Sequence, residues 1–211
     1  MAKTKEATQK RSLYDVHPGV AMVKQWIETL PAKTGRSLDE WLELIRRNAP
    51  ATHKERHEWL KQEYKLGTNT AWWLADRTEG KGAEDSDDAA YLQAAEEYVE
   101  AMFAGAKARL RPVYEALLKL GRSQGKDVKA CPCKTIVPLY RQHVFAQIKP
   151  STRTRIDFGL ALKDTKAVGR LIDTGGYAKG DRITHRFAIT ALDDIDDEVK
   201  QWLRKAYEMD A

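Results

Sequence analysis

The feature that most constrains the fold is a stretch of two-residue alternation, Cys131 to Leu162, between segments of helical periodicity. Alternation of apolar and polar residues is typical of half-buried strands, whereas apolar residues three and four apart are typical of amphipathic helices. The alternating segments follow one another closely, and strands joined by short turns pair antiparallel. The sequence therefore predicts an α+β fold, in which helices pack on a small antiparallel sheet of about four strands.

Turn residues separate the predicted strands. Residues 150–152, Pro-Ser-Thr, form the clearest turn, and residues 173–181 form a glycine-rich loop. The predicted strands are Thr135–Tyr140, His143–Lys149, Arg153–Leu162 and Arg182–Ile189. Helical spacing returns after the last of them, so we expect the chain to end in a helix.

The N-terminal part is predicted to be a helical domain. Ser37 and Glu40 have the spacing of a capping box, in which each side chain accepts a backbone N–H of the other residue, and Thr52 with Glu55 repeats it. Five of the six tryptophans lie in this part, which we interpret as core packing. The predicted organisation is a frayed basic tail (1–16), a helical domain (17–79), a glycine-containing acidic linker (80–88) and an α+β domain (89–211).

The composition of the chain limits the expected cellular compartment and the cofactors that it could bind. Hydrophobic residues make up 42% of the chain, and no run approaches the roughly 18 apolar residues of a membrane span, so we expect no membrane partner. Cys131 and Cys133 are the only cysteines, which is too few for the disulfide framework of a secreted domain, so we expect the cytoplasm. Two thiols without a second pair are half of a metal site, so we expect no metal and no cofactor, with metal or redox roles as alternatives.

Positive charge is concentrated in the predicted sheet. The formal net charge is +5, whereas residues 126–189 alone hold thirteen Lys or Arg against five Asp. Such asymmetry favours an anionic partner. The candidate binding residues share one face of the predicted strands and comprise six cations, one histidine and one aromatic ring. They are Arg141, His143, Phe145, Lys149, Arg153, Arg155, Arg182 and Arg186.

On such a face, cations contact phosphates and an exposed ring stacks on a base. We therefore expect a non-enzymatic module that binds nucleic acid or another polyanion, with Phe145 stacking. The alternative is that these cations have no binding function, because one face of an antiparallel sheet is normally exposed to solvent and polar. A small-molecule site beside the loop 173–181, or a protein partner at a groove lined by Trp72 or Trp73, are further alternatives.

The sequence contains no nucleophile elbow, phosphate loop or HExxH motif. We therefore expect no enzyme. The remaining enzymatic hypothesis pairs His143 with Asp157 on neighbouring strands as acid and base. In the N-terminal helices, the basic residues within His53–His57 lie near a helix N-terminus, where phosphate binds well. DNA binding by this helical part is therefore a further hypothesis.

Two sets of motifs resemble known families. The first set is Thr34-Gly35-Arg36-Ser37, Glu40-Trp41, Glu58-Trp59-Leu60, Leu66-Gly67-Thr68-Asn69 and Ala71-Trp72. It resembles a bacterial helical domain of unknown function. The second set is Cys131–Leu162, Ile183–Arg186 and Trp202–Tyr207. It resembles a second domain of unknown function, similar to the small α+β folds grouped with the frataxin-like and double-wing predicted DNA-binding proteins. The resemblance implies two domains, a bacterial cytoplasmic source and a non-enzymatic default.

Overall fold

Four helices form the N-terminal part of the protein. The structure is a computed structural model, and it describes residues 12–211. The helices are α1 (Pro18–Thr34), α2 (Leu38–Asn48), α3 (His53–Tyr64) and α4 (Thr68–Thr78). The capping box of α2 is confirmed: the Ser37 hydroxyl accepts from the Glu40 backbone N–H at 3.3 Å, and the Glu40 carboxylate accepts from the Ser37 backbone N–H at 2.7 Å.

The core of this helical part consists of large side chains from all four helices. Its buried members are Leu30, Trp41, Ile45, Leu60, Ala71 and Leu74. The indole N–H of Trp41 donates to the Thr34 hydroxyl at 2.8 Å, which satisfies the one polar atom of a ring that is 1% exposed. Trp26, Trp59 and Trp73 pack against this core, so four of the tryptophans contribute to it as the sequence predicts.

The contact pattern divides the described residues into two units, one of residues 16–93 and one of residues 12–15 and 94–211. The division falls inside α5 (Asp88–Met102), so residues 80–88 lie within the first unit. Residues 1–11 of the predicted tail lie outside the described residues. Its described end is packed, because Tyr14 is buried and its hydroxyl lies 2.9 Å from the hydroxyl of Tyr114.

The second unit contains the sheet. After a 3-10 helix (Gly105–Leu110) come α6 (Arg111–Arg122) and then α7 (Asp197–Glu208) at the far end of the chain. Between them are β1 (Lys129–Ala130), β2 (Val137–Tyr140), β3 (Val144–Pro150), β4 (Ile156–Leu160), β5 (Ile172–Asp173) and β6 (His185–Ile189). Gly121 lies within α6 rather than beyond its end. A Cβ at this position would overlap the Leu139 side chain of β2, so the glycine allows a close approach.

The predicted α+β class is confirmed. The strands lie in the order β1-β2-β3-β4-β6-β5, and every neighbouring pair is antiparallel. The described residues contain six strands rather than about four. The difference is β1 and β5, which have two residues each and are therefore too short to show alternation. Within residues 12–211, no helix combines the length and the hydrophobicity needed to cross a bilayer.

One face of the sheet is apolar and is covered by α6, which contacts β1 and β3, and by α7, which contacts β3 and β4. Ile148, Phe158 and Phe187 are aligned across β3, β4 and β6, and each is 0% exposed. Burial of each such side chain stabilises the fold by roughly 1.5–3 kcal/mol. The residues between them along the strands therefore point to the opposite, polar face.

The exposed position predicted for Phe145 is wrong. Leu139 pairs with Ala146 while Tyr140 pairs with Val144, so Phe145 is an extra residue in β3. Such a bulge breaks the two-residue alternation and re-aims a side chain. Phe145 and Ala146 are both 0% exposed, and the Phe145 ring lies edge-on to an aromatic ring of α7, with 5.5 Å between centroids. Phe145 is a core residue and has no free face on which a base can stack.

Replacing Phe145 therefore tests its burial. Phe145→Ala should lower the free energy of unfolding by about 3–5 kcal/mol, because it removes buried apolar surface and leaves a cavity. Urea unfolding followed by circular dichroism measures the change. The control is Val168→Ala, at a side chain that is 53% exposed, which should change stability by no more than about 0.5 kcal/mol. An unchanged unfolding midpoint for Phe145→Ala would contradict the bulge.

Candidate polyanion-binding groove

Asp157 neutralises two arginines of the predicted basic face. It lies on the polar face of β4, where its Oδ1 is 3.0 Å from an Arg186 guanidinium nitrogen and 2.9 Å from Arg155 Nε. Its Oδ2 accepts from the Ser151 hydroxyl at 2.6 Å. The Asp157 carboxylate therefore pairs with two of the arginines that were predicted to bind phosphate. A phosphate would have to compete with this carboxylate for both arginines.

Asp210 holds two more of the predicted residues. Its side chain is 2% exposed and forms an ion pair with Arg182. His143 donates its backbone N–H to Asp210 at 2.8 Å, and its ring Nδ1 lies 3.1 Å from the same carboxylate. The proposed pairing of His143 with Asp157 does not form. Asp157 is opposite Lys149, which lies six residues from His143 along the chain, on the order of 20 Å in an extended strand.

Arg141 is engaged with two neighbours. Its Nε lies 3.0 Å from a carboxylate oxygen of Asp127, and its guanidinium carbon lies 4.4 Å from the centroid of the Tyr207 ring. Hydrogen bonds from the Tyr207 hydroxyl and from Arg141 hold the pKa of Asp127 below its ordinary value. Because Asp127 stays ionised over a wide pH range, Arg141 keeps its counter-ion.

Lys149 and Arg153 differ from the other predicted residues. Both side chains are exposed, and neither forms an ion pair with any residue of 12–211. Lys149 lies on the polar face of β3, and Arg153 lies in the turn between β3 and β4. Two cations that the sequence analysis did not select, Lys107 and Lys134, lie beside them. These four residues surround one surface groove, which we call the basic groove.

The basic groove has a volume of about 600 Å³. Met102, Ala104 and Pro150 contribute an apolar floor, and the Thr135 side chain adds a hydroxyl group, whereas the Ser151 hydroxyl already donates to Asp157. No acidic residue of the described chain lines it. The groove therefore combines positive charge, a hydroxyl donor and an apolar surface.

Separate segments of the chain bring these cations together. Lys107 lies in the 3-10 helix after α5, and its Nζ donates to the Pro150 carbonyl at 2.6 Å, which ties this helix to the end of β3. Lys134 lies between β1 and β2, where the Cys133 N–H donates to the Ile136 carbonyl at 2.8 Å. Each cation is thus on a segment whose backbone is fixed by hydrogen bonds.

The cations of the basic groove lack carboxylate partners among the described residues, which makes the groove electropositive. Like charges gathered in a concave surface raise the local positive potential and the local concentration of anions. Elsewhere on the polar face, Asp157 and Asp210 cancel much of the charge of the arginines. An anion bound in the basic groove would instead relieve repulsion among unpaired cations, which strengthens its binding.

Sequence reasoning missed Lys107 and Lys134 because neither is on a predicted strand. One weak signal was available: Gly105–Leu110 contains two cations and no acidic residue. That signal indicates an unpaired charge but does not indicate which part of the sheet it approaches.

Three of the four basic residues predicted as a patch in the helical part are engaged with neighbouring side chains, and the fourth, Lys54, is exposed. His57 is 3% exposed and stacks on Trp72, with 4.0 Å between ring centroids. His53 lies 2.9 Å from an Asp76 oxygen, and Arg56 forms an ion pair with Glu79 at 3.2 Å. These contacts hold α3 against α4, and Lys54 is the one cation of the patch without an ion pair among the described residues.

Burial desolvates the side chains of both cysteines. Burial raises the pKa of Cys131 to about 12 and also raises the pKa of Cys133. Both are therefore protonated at neutral pH, and the thiolate is the form that attacks disulfides and binds metals. Within residues 12–211, no three His, Cys, Asp or Glu side chains are grouped so as to hold a metal ion.

Thiol reactivity tests this setting. In the folded protein at pH 8, both cysteines should react with iodoacetamide more than about tenfold slower than in the guanidinium-unfolded chain, because burial disfavours the thiolate. Mass spectrometry of the alkylated peptides measures each site, and the unfolded chain is the internal control. Rapid alkylation of either cysteine in the folded protein would contradict the raised pKa values.

Two family models match the chain. The model described as Domain of unknown function (DUF4287) matches residues 23–79, and the model described as Domain of unknown function (DUF5655) matches residues 99–210. No curated protein and no solved structure matches the chain. The two matches confirm the two-part organisation implied by the motifs, and all four cations of the basic groove fall within the second. Since that match covers more than half of the 211 residues, the chain belongs to the DUF5655 family.

Proposed function

We propose that the C-terminal domain is a non-enzymatic module that binds nucleic acid or another phosphate-bearing polyanion in the basic groove. The main support is the arrangement of Lys107, Lys134, Lys149 and Arg153 around one groove that no acidic residue of the described chain lines. Lysine and arginine bind phosphates and release the counterions condensed on a polyanion, which favours association. The predicted arginines at Asp157 and Asp210 do not line this groove.

The groove sets a scale for the interaction. Four cations allow up to about four phosphate contacts, so the slope of log affinity against log salt should be about −3.6 for a duplex and −2.8 for a single strand. A slope of this size predicts weak binding at physiological salt and clear binding at low salt. The ligand is therefore best sought at low ionic strength.

A second candidate function is small-molecule binding beside the loop 173–181. A cavity of about 280 Å³ is lined there by Tyr177, Asp181, Thr184 and Asp210, among others. Small-molecule binding at this cavity predicts that the ligand raises the melting temperature of the protein. Charge reversal in the basic groove should not change this effect.

We also place the protein in the cytoplasm, a proposal supported by its cysteines. The chain has two cysteines, too few for the disulfide framework that is typical of a small secreted domain.

Charge reversal tests the basic groove. The double variant Lys149→Glu/Arg153→Glu should weaken binding of a fluorescent single-stranded oligonucleotide at low salt by more than about tenfold. It should also reduce the magnitude of the salt slope by about 1.4, because two phosphate contacts are lost. Fluorescence anisotropy across a salt series measures both quantities.

The matched control is Lys119→Glu/Lys166→Glu, which makes the same change of net charge at exposed lysines outside the groove. It should keep the slope within about 0.5 of the unaltered protein. Equal losses in the two double variants would show that only net charge matters. Absence of binding to any polyanion at low salt would rule the proposal out.

A further inference from the structure

A second pocket lies next to the basic groove on the polar face of the sheet. It has a volume of about 450 Å³ and extends over β3, β4 and β6. Adjacent strands are roughly 4.8 Å apart, so the three strands give it a width of roughly 10 Å. Gln147, Gly159, Asp181 and Ile183 are among the residues that line it. We call it the polar-face pocket.

Gly159 gives this pocket its shape. It pairs with Gln147 on one side and with Arg186 on the other, at the middle of the sheet. A Cβ at position 159 would lie 2.6 Å from Ile183 Cγ2 and 2.9 Å from Gln147 Cγ. The glycine therefore lets these two side chains close over the strand and form the walls of the pocket.

The polar groups of this pocket fall into two classes. Asp157 and Arg186 are committed to each other at 3.0 Å. The Gln147 amide and the Asp181 carboxylate have no side-chain hydrogen bond or ion pair within residues 12–211, and both residues line the pocket. Asp181 also lines the cavity of about 280 Å³ beside the loop 173–181. The pocket thus offers an uncommitted amide, an uncommitted carboxylate, the Lys149 ammonium that it shares with the basic groove and the apolar side chain of Ile183.

These groups suit a phosphate less well than the basic groove does. Of the three cations that line the pocket, Arg182 and Arg186 are paired with carboxylates, and Lys149 is shared with the groove. The Asp157 and Asp181 carboxylates would repel a phosphate placed beside them. The residues of the pocket suit a flat group that carries both donors and acceptors. A nucleobase is such a group: aspartate accepts from the amino group of cytosine, an amide pairs bidentately with a base edge, and aliphatic side chains contact the base plane. The volume also lies within the range of ligand pockets.

Lys149 connects the two sites, because it lines both the basic groove and the polar-face pocket. A phosphate bound to Lys149 would place the adjoining nucleotide within reach of the pocket. The edge of a base is free in a single strand, whereas in a duplex it is paired.

We infer that the polar-face pocket holds a base of a single-stranded nucleic acid whose backbone occupies the basic groove, with Asp181 and Gln147 recognising the edge of a base that carries an amino group. The inference rests on the proposed function and gives it a ligand class. Inorganic polyphosphate has no base and would use the basic groove alone.

The experiment compares oligo(dC), oligo(dT) and inorganic polyphosphate as competitors of a fluorescent oligo(dC) at low salt. The unaltered full chain should bind oligo(dC) about tenfold more tightly than oligo(dT), since only cytosine offers an amino group to Asp181. Asp181→Asn should weaken oligo(dC) to the level of oligo(dT), while its binding of polyphosphate stays the same or strengthens because a negative charge is removed. Gln147→Ala should weaken oligo(dC) about fivefold and leave polyphosphate unchanged.

Matched controls are Asp164→Asn and Gln142→Ala, which make the same chemical changes at exposed positions of the same domain. Both should bind all three competitors as the unaltered protein does. Thermal unfolding of each variant checks that it is folded.

The outcomes separate the two proposals. If Asp181→Asn and Gln147→Ala leave oligo(dC) unchanged while Lys149→Glu/Arg153→Glu abolishes binding, base recognition is overturned and the basic groove stands. Equal affinity for duplex and single-stranded DNA would likewise overturn base recognition. If none of the competitors binds at low salt, the proposed function itself fails.

Discussion

Burial of one face of the sheet is the constraint on which the rest of the C-terminal domain depends. Ile148, Phe158 and Phe187 are fully buried in register, so a slip of one residue would turn this row towards solvent and polar side chains towards the helices. The register is therefore strongly specified. Once the register is set, Lys149, Gly159 and Arg186 have only the polar face available.

The distribution of acidic residues decides what the polar face can do. A domain with a large surplus of cations does not present them evenly, because Asp127, Asp157 and Asp210 each hold arginines at short distance. An exposed ion pair such as Arg141 with Asp127 contributes little stability. All of these pairs nevertheless remove charge from the surface. No acidic residue of the described part of the chain lines the basic groove. The groove is formed by the end of α5, the 3-10 helix after it, the segment between β1 and β2, and the end of β3 with the turn that follows. Met102 and Pro150 form an apolar floor between the cations.

The connection between groove and pocket gives the surface two chemistries. Lys149 is shared by both, with unpaired positive charge on one side and uncommitted hydrogen-bonding groups on the other. Phosphate contacts supply affinity and contacts with base edges supply selectivity, and they require different side chains. An arrangement that separates them within one continuous surface suits a ligand that is itself built from charged and hydrogen-bonding parts.

Local signals predicted much of the fold. Alternation located the four longer strands, and the Ser37 and Glu40 spacing located the start of α2. The strands β1 and β5 were missed because two residues carry no period. Phe145 was assigned to the wrong face because the bulge that re-aims it depends on how β2 and β3 pair, which a single strand does not encode.

The sequence by itself determined the α+β class, the two-part organisation, the apolar rows of the strands and the excess of positive charge near the sheet. These depend on composition and on neighbours within a few residues. Only the tertiary structure decided which cations are paired and which are not. It brought Lys107 and Lys134 beside Lys149 and Arg153. It also placed His143 against Asp210 rather than Asp157. The physical reason is that ion pairing acts over a few ångströms in space, and residues tens of positions apart reach that distance only when the sheet and helices have packed.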